Sequence, residues 1–331
     1  MARLWPERPG SEATITFTVV RTERSDTYPG DVLESVVNVS EGRDSRVIHA
    51  IGAAAGPALL DIHRDPDHHR SVFTIAALDA GATEAATRRL VDVAFEDLDL
   101  RDHAGVHPRL GVVDVVPFVA LGTTPPDVAV AAAHAFGDWL TRAHHVPAFF
   151  YDDAANDRRS LPTVRREAFR TLVPDRGPPT ADPRLGATAV GARPPMIAVN
   201  VELATQDLAV AQTISGLVRE RDGGLPGVRA LGFVLASSET VQVSMNLVDL
   251  DVVSLERACT EVLDLAHRAQ VEVVRAELVG LVPASEIARS TQAFLAWSGL
   301  GDQNTIEAHV HRRSWPSSAP GGTRNGRGLK T

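Results

Sequence analysis

Residues 196–224 read MIAVNVELATQDLAVAQTISGLVRERDGG. Met196–Leu203 reads as a strand, and Thr205–Arg221 as a helix stopped by Gly223-Gly224. The segments after this pair decide the fold. Val228–Leu235 and Thr240–Val248 read as the strands of a hairpin, with Ser237-Ser238 near its turn. Ser254–Arg268 reads as a helix, Val271–Val282 as a strand, and Ser285–Ala296 as the start of a last helix. The order is βαββαβ, the split βαβ arrangement of ferredoxin-like folds.

Toward the N-terminus the same order recurs. Val36–Val39 is a strand, followed by a helix from about Asp44 that carries Val47, Ile48 and Ile51 on one face and stops at Gly56. Leu59–Ile62 and Val72–Ala76 are strands, and Thr83–Leu98 is an amphipathic helix. Val112–Phe118 is the next strand, and Pro126 opens a helix that runs from about Asp127 to Ala143 before the strand Pro147–Tyr151. The expected fold is α+β: two α/β subdomains, each on a ferredoxin-like βαββαβ unit, with a ligand groove between them. The division is 31–193 and 194–311, with an irregular extension at 1–30 and a disordered tail at 312–331, rich in Gly, Pro, Ser and Arg. Residues 152–193, dense in Arg, Asp, Pro and Gly, are too long for a passive linker and read as site-forming.

The chain of 331 residues is 44% hydrophobic, enough for a substantial core, and its net charge of −9 argues against general nucleic-acid binding. A local basic pocket for a small anion is compatible with that charge. The one cysteine, Cys259, excludes an internal disulfide and a thiolate zinc cage, and its apolar helical position makes it a packing residue. No apolar run is long enough to span a bilayer, and the first residues make a poor signal peptide, so the expected location is the cytoplasm.

Two stretches concentrate chemistry. GVHPRLGVVDVVPF (105–118) places His107 and Arg109 at the mouth of an apolar strand, with Asp114 inside it. His107 suits general acid–base work near neutral pH, and Arg109 a bidentate grip on a carboxylate. Asp114 needs a partner there, from Arg109, His107 or a backbone donor. DIHRDPDHHRS (61–71) reads as a loop between strands and carries His63, His68, His69, Arg70 and two aspartates beyond Asp61. It fits a ligand-binding loop better than a metal site, since its spacing matches no zinc signature. The glycines of GATAVGAR (186–193) permit close backbone approach, but they precede a strand and lack the GxGxxG spacing of a dinucleotide loop.

Together several segments resemble the formiminotransferase family: LESVVNVSEGR (33–43), DPDHHRSVFT (65–74), GVHPRLGVVDVVPF (105–118), VPAFFY (146–151), PDRGP (174–178), GATAVGAR (186–193), VQVSMNLVD (241–249) and LVGLVP (278–283). The resemblance implies two α/β subdomains with folate in the groove between them. It implies transfer of a formimino group from N-formimino-L-glutamate to N5 of tetrahydrofolate as co-substrate, in histidine breakdown and one-carbon metabolism. It implies His107 as the catalytic histidine and a homodimer. By place in matching segments, Arg109, Asp114, Arg70, His63, His69, Asn38, Arg193 and Gly186 are expected at the substrate and folate sites, with no metal and neither nucleic acid nor membrane as partner. The sequence departs from the family at Val37 and Val39, at Val106 where glutamate is usual, at Arg176 where an aromatic is usual, and at His63 in an acidic position. Two rival readings are a metal-dependent hydrolase or lyase using the cluster at 63–69, and a folate-binding protein without catalysis.

Overall fold

The computed structural model describes residue 28 and residues 32–103, 109–235 and 237–313. The first half runs β1 (Val32–Val39), α1 (Ser45–Ala54), β2 (Leu59–Asp65), β3 (Arg70–Ala77), α2 (Ala80–Asp97), β4 (Val113–Leu121), α3 (Pro126–His144), β5 (Ala148–Asp152), α4 (Leu161–Glu167) and β6 (Thr188–Ala192). The second half runs β7 (Ile197–Leu203), α5 (Leu208–Val218), β8 (Val228–Leu235), β9 (Thr240–Leu247), α6 (Leu255–Arg268), β10 (Val273–Val279), α7 (Ala284–Arg289), α8 (Gln292–Ser298) and α9 (Ile306–His311).

Among the described residues the strands form two sheets, ordered β2-β3-β1-β4-β6-β5 and β10-β7-β9-β8. The second sheet is antiparallel throughout, and its first strand lies between the last and the third, as a split βαβ unit requires. The first sheet has the same antiparallel core, extended by β6 and β5, which run parallel to β4. The repeat and the α+β class read from the sequence are what the fold shows.

Local chemistry explains the helix starts. Asp44 caps α1 by accepting from the amides of Arg46 and Val47, Asp79 caps α2 through Ala82, and Ser254 caps α6 through Arg257. Pro126 opens α3, and His145 closes it in the left-handed region. Period-two alternation then divides each sheet face. Leu33, Val37 and Val39 of β1 join Phe73 and Ile75 of β3 in a core under α1, α2 and α3. Ile197, Val199, Val201 and Leu203 of β7 pack with Val243 and Met245 under α5 and α6. Cys259 is buried in that second core, as its helical position implied.

Several expectations need correction. Residues 188–192, inside the segment read only as site-forming, are a strand: TAVGA lies between β4 and β5, and small side chains suit it because the Tyr151 ring lies where a Cβ on Gly191 would be, 2.3 Å away. The cluster at 61–71 is mostly strand, since β2 extends to Asp65 and β3 begins at Arg70, leaving a turn at 66–69. The last helix breaks in two, because Thr291 caps a new helix through Phe294 while its own amide donates to Glu256. The helix expected from Thr205 starts at Leu208, capped by Asp207. Within the extension at 1–30, Tyr28 is anchored: it packs beside Val32, Leu60 and Ile306 and donates to Glu307 at 2.9 Å. The remainder of that extension, and residues 314–331 of the tail, lie outside the described residues.

Candidate functional site

The faces of the two sheets that point away from their helices look toward each other. Alternation puts Glu34, Asn38, Arg70 and Thr74 on this face of the first sheet, and Asn200, Glu202, Gln242, Arg229 and Phe233 on that of the second. Side chains of both halves meet across the gap. Phe233 meets the His68 ring edge-on at 4.9 Å, and Ser237 donates from its amide (3.1 Å) and hydroxyl (2.6 Å) to Asp67. Arg229 acts on the Asp152 carboxyl, and Gly280 lies against Thr74. Thr74 Oγ1 and Gln242 Nε2 are buried without a hydrogen-bond partner among the described residues, so the space between the sheets offers polar atoms to a ligand.

At one end of this space the ends of β1, β3 and β4 form a cleft lined by Ser40, His68, His69, Arg70, Arg109 and Asp114. Ser40 ties two strands together, its amide donating to Val112 O and its hydroxyl to Gly111 O. Asp114 sits at the centre and is 2% exposed. It accepts from Leu110 N at 2.7 Å and from both terminal nitrogens of Arg165, at 3.2 and 2.6 Å, and Arg70 Nη2 lies 3.5 Å away. Burial pushes the Asp114 carboxyl up, but Arg165 and Arg70 overcome it and hold the group below the usual carboxylate range. Burial pulls the Arg70 guanidinium down to about 10, which leaves it charged at neutral pH, and Arg70 also donates to Asn38 Oδ1. Burial likewise lowers Arg109, with Asp114 opposing the shift and Arg165 adding to it. Three guanidiniums around one carboxylate leave excess positive charge, which suits an anionic ligand.

A second group of contacts builds the cleft wall. His103 Nε2 lies 3.0 Å from His69 O and 3.2 Å from Arg109 Nη1, and the His69 and His103 rings lie 4.1 Å apart. His68 is held by Asp65 through both its amide and its Nδ1.

Of the residues singled out from sequence, Asn38, His69, Arg70, Arg109 and Asp114 converge here. His107 lies outside the described residues, as does Val106. The other three are placed elsewhere. His63 stands on β2 beside Asp61 and His309. Arg193 follows β6 and its cation acts on Glu34 and Tyr151. Gly186 packs against Leu110 and Gly111 at a φ of 76°, where a Cβ would come within 2.3 Å of Leu110 O, so it seats one backbone segment on another. Arg176 pairs with Asp138 at 2.7 Å and lies over the Phe150 ring, away from the cleft. Arg165 is the residue that sequence reading missed. The signals available were the arginine-dense segment 152–193 and an aspartate in an apolar strand that needs a partner, with nothing in the sequence to join the two. Among the described residues no group of three His, Cys, Asp or Glu side chains is placed to hold a metal ion.

Comparison with known proteins places the chain in a family. Residues 32–193 match the N-terminal subdomain of the formiminotransferase domain, and residues 197–312 match the formiminotransferase domain. A glutamate formimidoyltransferase of Streptococcus pyogenes is 34% identical over 80% of this chain and 93% of its own length. One from Thermoplasma acidophilum is 33% identical over 85% of this chain and 98% of its own. The formimidoyltransferase-cyclodeaminase of Gallus gallus is 33% identical over 87% of this chain, which spans 58% of that protein. With both matches in place across the two sheets, the chain belongs to the formiminotransferase domain family.

Proposed function

We propose that this chain is a transferase that moves a formimino group from N-formimino-L-glutamate to N5 of tetrahydrofolate. One observation carries the reading: segments 33–43, 65–74 and 105–118, far apart in sequence, bring Asn38, His69, Arg70, Arg109 and Asp114 to a single cationic cleft. The facing sheet surfaces beside it carry Thr74 Oγ1 and Gln242 Nε2 without partners among the described residues, which suits an extended polar ligand such as folate.

The chemistry asks for one proton carrier and one anion grip. N5 attacks the amidine carbon, and the tetrahedral adduct collapses by breaking the bond to the glutamate nitrogen. The proton that leaves N5 must reach that nitrogen. His107, two residues before Arg109, is the proposed carrier, because imidazole is the side chain suited to accept and return a proton near neutral pH. Arg109 and Arg70 are the proposed grip on the donor's carboxylates. The subdomains are proposed to divide at 193–194. A homodimer in the cytoplasm is the proposed working state. Among the described residues no helix is long and apolar enough to cross a membrane.

The test is turnover. The protein is mixed with tetrahydrofolate and N-formimino-L-glutamate, and 5-formiminotetrahydrofolate is read after acid conversion to 5,10-methenyltetrahydrofolate. Turnover is expected, and His107→Ala should lose roughly 10²–10⁴-fold in kcat while still binding tetrahydrofolate. A chain that binds tetrahydrofolate but turns over no formimino donor would be a binding protein instead.

A further inference from the structure

We propose that His69 is a specificity-determining residue: a neutral imidazole, fixed with its proton on Nε2, that hydrogen-bonds a carboxylate of the formimino donor beside Arg109. This rests on the transferase reading and goes beyond it in naming the atom and the tautomer.

The tautomer follows from a backbone amide. Gly42 N lies 3.2 Å from His69 Nδ1 in hydrogen-bonding geometry. An amide N–H can only donate, so Nδ1 must accept and the ring proton must sit on Nε2. Glu41 Oε1 lies 3.6 Å from the same Nδ1, but that oxygen already accepts from Arg43 N at 2.6 Å and Asp44 N at 3.0 Å. The Gly42 contact is the shorter and better formed. Protonating Nδ1 would set two donors against each other. Burial, Arg43 and Arg109 also disfavour the imidazolium, while Glu41 favours it, and His69 titrates below the usual histidine range.

The surroundings hold the ring in place. The side chain is 13% exposed. Its backbone adopts a left-handed φ of 51°, a conformation persistent only where neighbours enforce it. The His103 ring lies against that of His69, tilted by 39° at 4.1 Å, and contacts the His69 carbonyl. Gly42 has to be glycine for the approach, since a Cβ there would lie 2.2 Å from Asp65 O. No described residue accepts from Nε2, so that donor is the group His69 can give to a ligand in the cleft it shares with Arg109. A neutral N–H next to a guanidinium adds direction to a charge-based grip without adding charge.

Steady-state kinetics of His69→Ala and His69→Asn test this, with ¹⁵N-histidine NMR of the wild-type protein. Asparagine keeps an N–H donor and tolerates the left-handed backbone. His69→Ala should raise KM for the formimino donor by roughly 10–100-fold, the worth of one hydrogen bond to a charged group, and leave KM for tetrahydrofolate within about twofold. His69→Asn should recover most of the loss. The NMR spectrum should show the Nε2–H tautomer at neutral pH. Equal loss for both substrates, loss in kcat alone, no rescue by asparagine, or an Nδ1-protonated ring would overturn the proposal. If the wild-type protein turns over nothing, the transferase reading falls by itself. Calorimetric binding of L-glutamate then decides this one: weakened by alanine and kept by asparagine upholds it, and no binding to the wild type ends it.

Discussion

Arg165 and Asp114 lie 51 residues apart in the chain and meet as a two-point ion pair, with Nη2 2.6 Å from Oδ2 and Nη1 3.2 Å from Oδ1. Asp114 also caps the Leu110 amide, so this pair ties α4 to the entry of β4 beside Arg109. Removing the cation leaves a buried carboxylate without its two-point partner, facing Arg70 at 3.5 Å. Arg165→Ala should cost about 3–5 kcal/mol of stability, the usual penalty for breaking a buried pair from one side. The Asp114 carboxyl should then rise from its wild-type value, because burial is opposed only by Arg70 and the Leu110 amide. The wild-type group, held low in the fold, contributes stability above its unfolded pKa of about 4 that is lost as pH falls through the folded value. Chemical denaturation of wild type and Arg165→Ala at pH 4–8 checks this; a variant as stable as wild type at pH 7 refutes the clamp.

Glu34 runs the other way. It is 5% exposed on β1, and burial lifts its carboxyl to about 7, opposed by Arg193 and aided by Glu307. A raised folded pKa favours the folded chain below the unfolded value near 4.5, and that advantage is lost as pH climbs through 7. The loss is worth about 3 kcal/mol. Glu34→Gln keeps the shape and removes the titration. Its Tm should vary less than wild type between pH 5 and 8, and should exceed wild type at pH 8. Parallel curves for the two proteins would exclude Glu34 as the group responsible.

The single cysteine is a ready unfolding reporter. Cys259 is fully buried in the core under α6, and burial pushes its thiol up to about 12. Folded protein at pH 8 should resist thiol reagents, because thiolate and access are both lacking. Labelling should track global unfolding in denaturant. Fast labelling of native protein would mean that α6 opens locally.

Legibility in the sequence depends on range. The βαββαβ repeat is legible because β7 and its neighbours carry period-two alternation and their helices carry capped apolar faces. Strand β6 is not, because TAVGA is short and small-sided, and its strand character comes from pairing on both sides with β4 and β5. In the cleft, Arg109, Arg70 and His69 are legible as unusual groups beside strand ends. The partner of Asp114 is not, since a contact across 51 residues leaves no periodic trace. His63 and Arg193 are read from position in a segment; they lie outside the cleft, with His63 beside Asp61 and paired with Val72 on the sheet face that carries Thr74, and Arg193 acting on Glu34 of that same face.

Gly186 separates a packing role from a binding role. The sequence suggests it for the ligand site, and the structure puts it against Leu110 and Gly111, with a φ of 76° and room for hydrogen only. Gly186→Ala would carry left-handed strain and a Cβ within 2.3 Å of a carbonyl oxygen, so the backbone must move. The amide of Gly186 donates to Asp182 O and that of Ala187 to Leu110 O, and both bonds depend on this seating. The variant should lose at least about 1–2 kcal/mol in denaturant unfolding. Calorimetry at a temperature where it remains folded should show wild-type affinity for tetrahydrofolate. Normal stability with weakened folate binding would reverse the assignment and return Gly186 to the ligand.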